Sequence, residues 1–80
     1  MNFTTKLSSH KLSVLMRKSP KERDKDTVKL AELMNARLHD VYGIKTYVRV
    51  ETELDGTIHW NIGFNGLLSE IKAIAQELSK

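Results

Sequence analysis

Two runs of alternating apolar and polar residues flank Asp55-Gly56, and they constrain the fold of this chain more than any other feature. A period of two is that of a strand with one buried face, so the runs predict a β-hairpin over residues 44–64. The expected buried face consists of Ile44, Thr46, Val48, Val50 and Thr52 in the first run and Ile58, Trp60, Ile62 and Phe64 in the second.

The loop of this hairpin can be derived from the same alternation. A two-residue turn at Asp55-Gly56 would send the two apolar faces to opposite sides of the ribbon. A three-residue loop over 54–56, with Gly56 left-handed in a bulge, puts both apolar faces on one side. This register places Val50 opposite Trp60 and Val48 opposite Ile62. We therefore predict the three-residue loop.

A long helix is predicted over residues 20–42. Ser19 is a suitable N-cap, Pro20 suits the first helical position, Glu22 completes a capping box, and Gly43 ends the helix in a left-handed conformation. Apolar residues recur every three or four positions, which is typical of a helix packed on one face. They are Thr27, Ala31, Met34, Leu38 and Val41, with Leu30 and Leu33 alongside.

Two shorter helices are predicted at the ends of the chain. Ser8 or Ser9 can cap the first, whose packed side carries Leu12, Leu15 and Met16. The second covers residues 66–79 and is expected to be capped by Asn65. Its apolar stripe consists of Leu67, Leu68, Ile71, Ile74, Ala75 and Leu78.

These elements predict one small α+β domain over residues 1–80. It consists of a basic segment with a short helix (1–18), the long helix (20–42), the hairpin (44–64) and the C-terminal helix (66–79). A two-stranded ribbon is not stable alone, so the helices are expected to pack on one face of the antiparallel hairpin. A short extra strand over residues 2–7 remains an open alternative.

The chemistry available to the chain is narrow. The sequence has no cysteine and no Gly-rich phosphate loop, and its three histidines lack metal-ligand spacing. No nucleophile stands beside a base in a known pattern, so we expect no enzyme activity, cofactor or metal. The chain has no apolar stretch of signal-peptide or membrane-span length, and we expect a cytoplasmic protein without membrane insertion.

The segment Gly63-Phe64-Asn65-Gly66 has the glycine spacing of the GxxG loop of KH domains, which clamps a nucleic-acid backbone. Here the segment joins a strand to a helix, and we interpret it as a structural turn. With a strand over residues 2–7, the order of elements would resemble a type I KH domain. The loop where that family carries GxxG reads Arg17-Lys18-Ser19-Pro20-Lys21-Glu22, so the resemblance lies in the order of elements alone.

The outer face of the hairpin is the first candidate binding surface. It combines an aromatic residue, both charges and an amide, a composition typical of protein interfaces. Glu51 is expected opposite His59, and we interpret the two as a solvated cross-strand pair. The candidate protein-binding residues are Tyr47, Arg49, Glu51, His59 and Asn61.

A basic cluster in the first third of the chain is the second candidate surface. Residues 1–29 contain eight Lys or Arg residues against three acids, a charge of +5, whereas the remaining residues carry −2. Such a cluster can contact the phosphates of a nucleic acid. It consists of Arg17, Lys18, Lys21, Arg23 and Lys25.

These surfaces lead to two functional hypotheses. The first is a small non-enzymatic regulatory or adaptor protein that docks on another protein, as an inhibitor or accessory factor, with a homodimer through the hairpin edge as one form. The composition is similar to that of small accessory proteins of bacteria or their phages. The alternative is a nucleic-acid-binding protein that uses the basic first third.

Overall fold

A computed structural model describes residues 1–80 as three helices and three strands. The predicted α+β class, with helices on one face of an antiparallel sheet, is confirmed. The elements are β1 (Asn2–Lys6), α1 (Ser9–Met16), α2 (Pro20–Tyr42), β2 (Val48–Thr52), β3 (Thr57–Ile62) and α3 (Leu68–Leu78).

The sheet has the strand order β1-β3-β2, and both pairings are antiparallel. Strand β1 is the short extra strand that the sequence left open. In the hairpin, Val50 pairs with Trp60 and Val48 with Ile62, as predicted. Gly56 has a φ of 91°, in the left-handed region that the three-residue loop requires.

Helix α2 begins and ends where its sequence signals indicate. The Ser19 hydroxyl accepts a hydrogen bond from the Glu22 N–H, and Pro20 occupies the first turn. At the other end Gly43 adopts a φ of 67° and its N–H bonds the carbonyl of His39. These contacts satisfy backbone groups that a helix terminus leaves without a partner.

Three predicted boundaries were wrong, and one is the end of the hairpin, because strand β3 ends at Ile62 rather than at residue 64. Strand β2 starts at Val48 rather than residue 44, because the backbone of Thr46 bonds the side-chain amide of Asn35 on α2. Helix α3 starts at Leu68, and its N-cap is Leu67 without a side-chain bond, so Asn65 does not cap it.

The core lies between the sheet and the helices α2 and α3. Its most enclosed residues, each at most 1% exposed, are Met34, Leu38, Ile58, Trp60, Ile62, Ile71 and Ala75. A buried hydrogen-bond chain crosses one side of this core. The Trp60 indole N–H donates to Thr5 Oγ1 at 2.9 Å, Thr5 Oγ1 lies 2.8 Å from Ser79 Oγ, and Ser79 Oγ donates to the Ala75 carbonyl.

Helix α1 lies at the periphery. Only Leu15 is buried on it, at 7% exposure, and Leu12 packs beside the hairpin turn at Gly56. Several residues predicted to face the core are exposed instead, because the predicted apolar stripes are wider than the surface that covers them. They are Met16, Leu33, Val41, Leu67 and Leu68, between 44% and 63% exposed.

Candidate functional site

The outer face of the sheet carries no helix, and it brings four of the five candidate protein-binding residues together. Arg49 pairs with Asn61 and Glu51 with His59 across β2 and β3. Strand β1 extends the two rows, because Asn2 pairs with Asn61 and Thr4 with His59. The result is a continuous polar face across all three strands.

Tyr47, the fifth residue, lies one position before β2 and is 56% exposed. It stands at the corner of the outer face, opposite Gly63, whose N–H donates to the Tyr47 carbonyl at 2.9 Å. A β-carbon added at Gly63 would lie 3.4 Å from the β-carbon of Tyr47. The absence of a side chain at Gly63 therefore leaves one flank of Tyr47 open.

The ionisable side chains on the outer face pair with one another. Arg49 Nη2 lies 3.2 Å from Glu51 Oε1, and His59 Nε2 lies 2.9 Å from Glu53 Oε1. His59 is opposite Glu51 in the backbone register, as predicted, but its ring bonds Glu53 instead. Both pairs are largely exposed, and exposed pairs contribute only about 0–1 kcal/mol to stability.

The structure divides the basic cluster into two groups. Lys18 pairs with Asp26, and the Arg23 guanidinium donates to the Lys18 carbonyl at 2.9 Å, so these two side chains hold the turn between α1 and α2. Arg17, Lys21 and Lys25 are exposed and have no side-chain hydrogen bond or ion pair. Only the second group is free to contact a ligand.

An open groove of about 440 Å³ separates α1 from the N-terminal half of α2. This α1–α2 groove has six apolar lining residues: Leu7, Val14, Leu15, Leu30, Leu33 and Leu78. Its volume falls within the roughly 300–1,000 Å³ of typical ligand clefts. The outer face of the sheet has a hollow of about 480 Å³, but only two of its eight lining residues, Phe3 and Trp60, are hydrophobic. The α1–α2 groove therefore combines a concave shape with the more apolar surface.

The polar rim of the groove is basic. It consists of His10, Lys11, Lys18, Asp26, Thr27, Lys29 and Thr52. Its one acid, Asp26, is already paired with Lys18, and the Lys11 amine donates to the Leu78 carbonyl at 3.0 Å. Lys29 has no partner, so the rim presents uncompensated positive charge.

Lys29 also ends a row of lysines along α2. Lys21, Lys25 and Lys29 are four residues apart, so they lie on one side of the helix at intervals of about 6 Å. We call these three residues the lysine row. It links the free part of the basic cluster to the α1–α2 groove.

The groove was not predicted, although the sequence contains part of its signal. Leu30 and Leu33 were assigned to the packed face of α2, yet Leu33 is 44% exposed and lines the groove. The four-residue spacing of the lysine row was visible in the sequence, whereas Lys29 was left out of the cluster. What the sequence did not show is that α1 lies apart from α2.

Two titratable groups have displaced pKa values, and both lie outside these surfaces. The Tyr42 hydroxyl donates to Glu70 Oε2, and this hydrogen bond, with some desolvation and the negative charge of Glu70, raises the pKa of Tyr42. The pKa of Asp55 is lowered, chiefly because its carboxylate accepts a hydrogen bond from the Thr57 N–H. Neither group adds chemistry to the groove.

No family of known proteins, no curated protein and no solved structure matches this chain. The structure contains no group of three or more His, Cys, Asp or Glu residues placed to hold a metal ion. None of its helices combines the length and the apolar character needed to cross a membrane. The candidate site rests on the geometry of this chain alone.

Proposed function

We propose that this chain is a small nucleic-acid-binding protein that holds a single strand in the α1–α2 groove. The observation that carries this proposal is an apolar groove bordered by free lysines, Lys29 on its rim and Lys21 and Lys25 in the same row. It makes the nucleic-acid alternative of the sequence the preferred function, and it moves the binding surface from the cluster itself to the groove beside it.

The chemistry of a single strand fits the two parts of this surface. Unpaired bases have apolar faces that can be buried against side chains, and the backbone carries one negative charge per nucleotide. The leucines of the groove offer the first contact and the lysine row the second. No aromatic side chain lines the groove, so we expect phosphate contacts to dominate the affinity.

The order of the elements supports the same function. With β1 present, the chain follows the strand-helix-helix-strand-strand-helix order that resembles a type I KH domain. In KH domains a GxxG loop brings the backbone close to the nucleic acid. The turn between α1 and α2 carries the free cation Arg17 here, and we propose that this charge, with the lysine row beside it, takes over the role of that loop.

The lysine row provides the test, with a matched control elsewhere on the surface. Lys25→Gln with Lys29→Gln should weaken binding of a labelled single-stranded oligonucleotide by roughly tenfold or more, measured by fluorescence anisotropy at low salt. Lys45→Gln with Lys72→Gln removes the same charge from exposed positions outside the groove and should change the affinity little. Equal losses of affinity in both variants would show that the binding is nonspecific charge attraction, and would contradict the proposed site.

Salt dependence gives a second measurement on the same complex. Four phosphate contacts, from Arg17 and the lysine row, predict a slope near −0.7 per contact, or a roughly 50-fold loss of affinity between 50 and 200 mM salt. The Lys25→Gln, Lys29→Gln variant should have a slope about 1.4 units shallower. The function is wrong if the unaltered protein binds neither RNA nor DNA single strands at 50 mM salt.

The open outer face favours a second candidate function, docking on another protein. Tyr47 and Arg49, two positions apart in the chain, are both exposed, and both residue types are enriched among interface hot spots. Tyr47→Ala with Arg49→Ala should then cost about 2 kcal/mol of partner affinity. Capture from nuclease-treated host lysate is the measurement: the partner should be lost with this variant and retained with Lys25→Gln, Lys29→Gln.

A further inference from the structure

We propose that β1 is an assembly edge, and that two copies of this chain pair through it. Their β1 strands would run antiparallel, with Thr4 of one copy opposite Thr4 of the other. The two three-stranded sheets would then form one continuous sheet of six strands. This inference concerns the edge of the sheet and does not depend on the ligand of the α1–α2 groove.

The register of β1 shows which backbone groups face outward. The Ile62 N–H donates to the Met1 carbonyl and the Leu7 N–H to the Gly56 carbonyl, both at 2.8 Å. Antiparallel ladders alternate, so the odd-numbered residues of β1 bond β3. The N–H and C=O groups of Asn2, Thr4 and Lys6 therefore point away from the sheet, along its open edge.

The edge of β2 is more covered than that of β1. Its outward-facing residues are Val48, Val50 and Thr52, and none of them is exposed, whereas Asn2, Thr4 and Lys6 all are. Strand β3 is paired on both sides. Beside β2, the Asn35 amide of α2 donates to the Thr46 carbonyl at 2.7 Å and accepts from the Thr46 N–H at 3.3 Å. Asn35 thus fills the place of a strand at the start of that edge. The homodimer that the sequence suggested at the hairpin edge is therefore proposed at β1, the more open of the two edges.

Strand β1 carries only one of the devices that normally prevent edge pairing, a charged residue at its end. Proteins protect an open edge with prolines, bulges or charged side chains. Here Asn2, Thr4 and Lys6 are all exposed and the strand contains no proline. The single charge belongs to Lys6, at the end of the strand, and its amine lies 3.7 Å from Asp55 Oδ2.

Self-pairing centred on Thr4 is the register that pairs every outward-facing residue of the edge. It sets Thr4 against Thr4 and Lys6 against Asn2 of the other copy, so all three outward-facing residues of both strands find partners. Any even shift leaves at least one of them unpaired, and a centre at Lys6 would bring two like charges together. The antiparallel pair keeps the polar outer faces on one side and both helical layers on the other.

The first test compares two substitutions at the centre of the edge. Thr4→Pro removes an N–H that makes no bond to β3, which an edge strand tolerates, and it should raise the dimer dissociation constant at least tenfold. Thr4→Ala keeps that N–H and should dimerise like the unaltered protein. Sedimentation velocity across a concentration series separates the 9.2 kDa monomer from a species of twice that mass.

A charge exchange at the same position tests the register and does not rely on proline. Thr4→Glu alone and Thr4→Lys alone should each be monomeric, because the symmetric pairing opposes like charges. A mixture of equal amounts should form a heterodimer. The proposal is overturned if the unaltered protein stays monomeric throughout the series, or if its dimer survives both Thr4→Pro and Thr4→Glu with unchanged affinity.

Discussion

The two halves of the helical layer differ in how they meet the rest of the molecule. The C-terminal half of α2 and helix α3 press against the sheet, where Met34, Leu38 and Ile71 are fully buried. Helix α1 and the N-terminal half of α2 enclose an open groove, and Leu15 is the only buried residue on α1. Stability is therefore concentrated in one half, and the other is free to change its surface without unfolding the chain.

Shortening one buried leucine of α2 and one that lines the groove tests this difference most directly. Leu38→Ala, at 0% exposure, should cost about 2–5 kcal/mol, a large share of the roughly 4–12 kcal/mol expected for a domain of this size. Leu33→Ala, at 44% exposure, should cost about 1 kcal/mol or less. Urea unfolding followed by circular dichroism measures both, and equal losses would contradict the division.

The buried hydrogen-bond chain permits a smaller test within the stable half. Thr5→Val should cost about 1–3 kcal/mol, because it leaves the buried Trp60 N–H without an acceptor. Thr4→Val, the neighbour on the exposed face, is the matched control and should change the free energy of unfolding by less than about 0.5 kcal/mol. A Thr5→Val protein as stable as the control would show that the chain contributes nothing to the core.

The smallest expected effect concerns the hairpin turn, where Asp55 makes the stability depend on pH. Because the pKa of Asp55 is lower in the folded chain, its contribution to stability is present above the unfolded pKa and is lost as pH falls through the folded pKa. Asp55→Ala should remove this acid-side dependence. Urea midpoints between neutral and acidic pH, with NMR titration of the carboxyl carbon, measure it; a carboxyl that titrates at its ordinary pKa would contradict the prediction.

The hairpin and α2 could be predicted because their signals are local. The alternation around Asp55-Gly56 permits one register that buries both apolar rows, and Ser19, Pro20 and Gly43 mark the ends of α2. Strand β1 was only an open alternative, because its most buried residue is a threonine. Thr5 becomes a core residue through partners 55 and 74 positions away, which no local pattern reveals.

The candidate site was less predictable for a related reason. The residues of the outer face could be grouped from strand alternation, and four of the five lie together on β2 and β3. The groove depends instead on how far α1 stands from α2, which is set by contacts such as Leu12 against Gly56 and Lys11 against the end of α3. The sequence also did not show which basic residues are already engaged. Lys18 and Arg23 hold the turn, whereas the lysine row is free.

The Asn35 amide beside Thr46 also limits how far this protein can assemble. A sheet whose two edges are equally open can add copies at both and grow into a fibre, whereas a sheet with one preferred edge forms a closed pair first. Both backbone groups of Thr46 already have partners on α2, so an incoming strand finds no donor or acceptor there. By occupying the position next to the start of β2, this side-chain amide makes that edge a poorer site for a further copy than β1, and so favours a finite complex over a fibre.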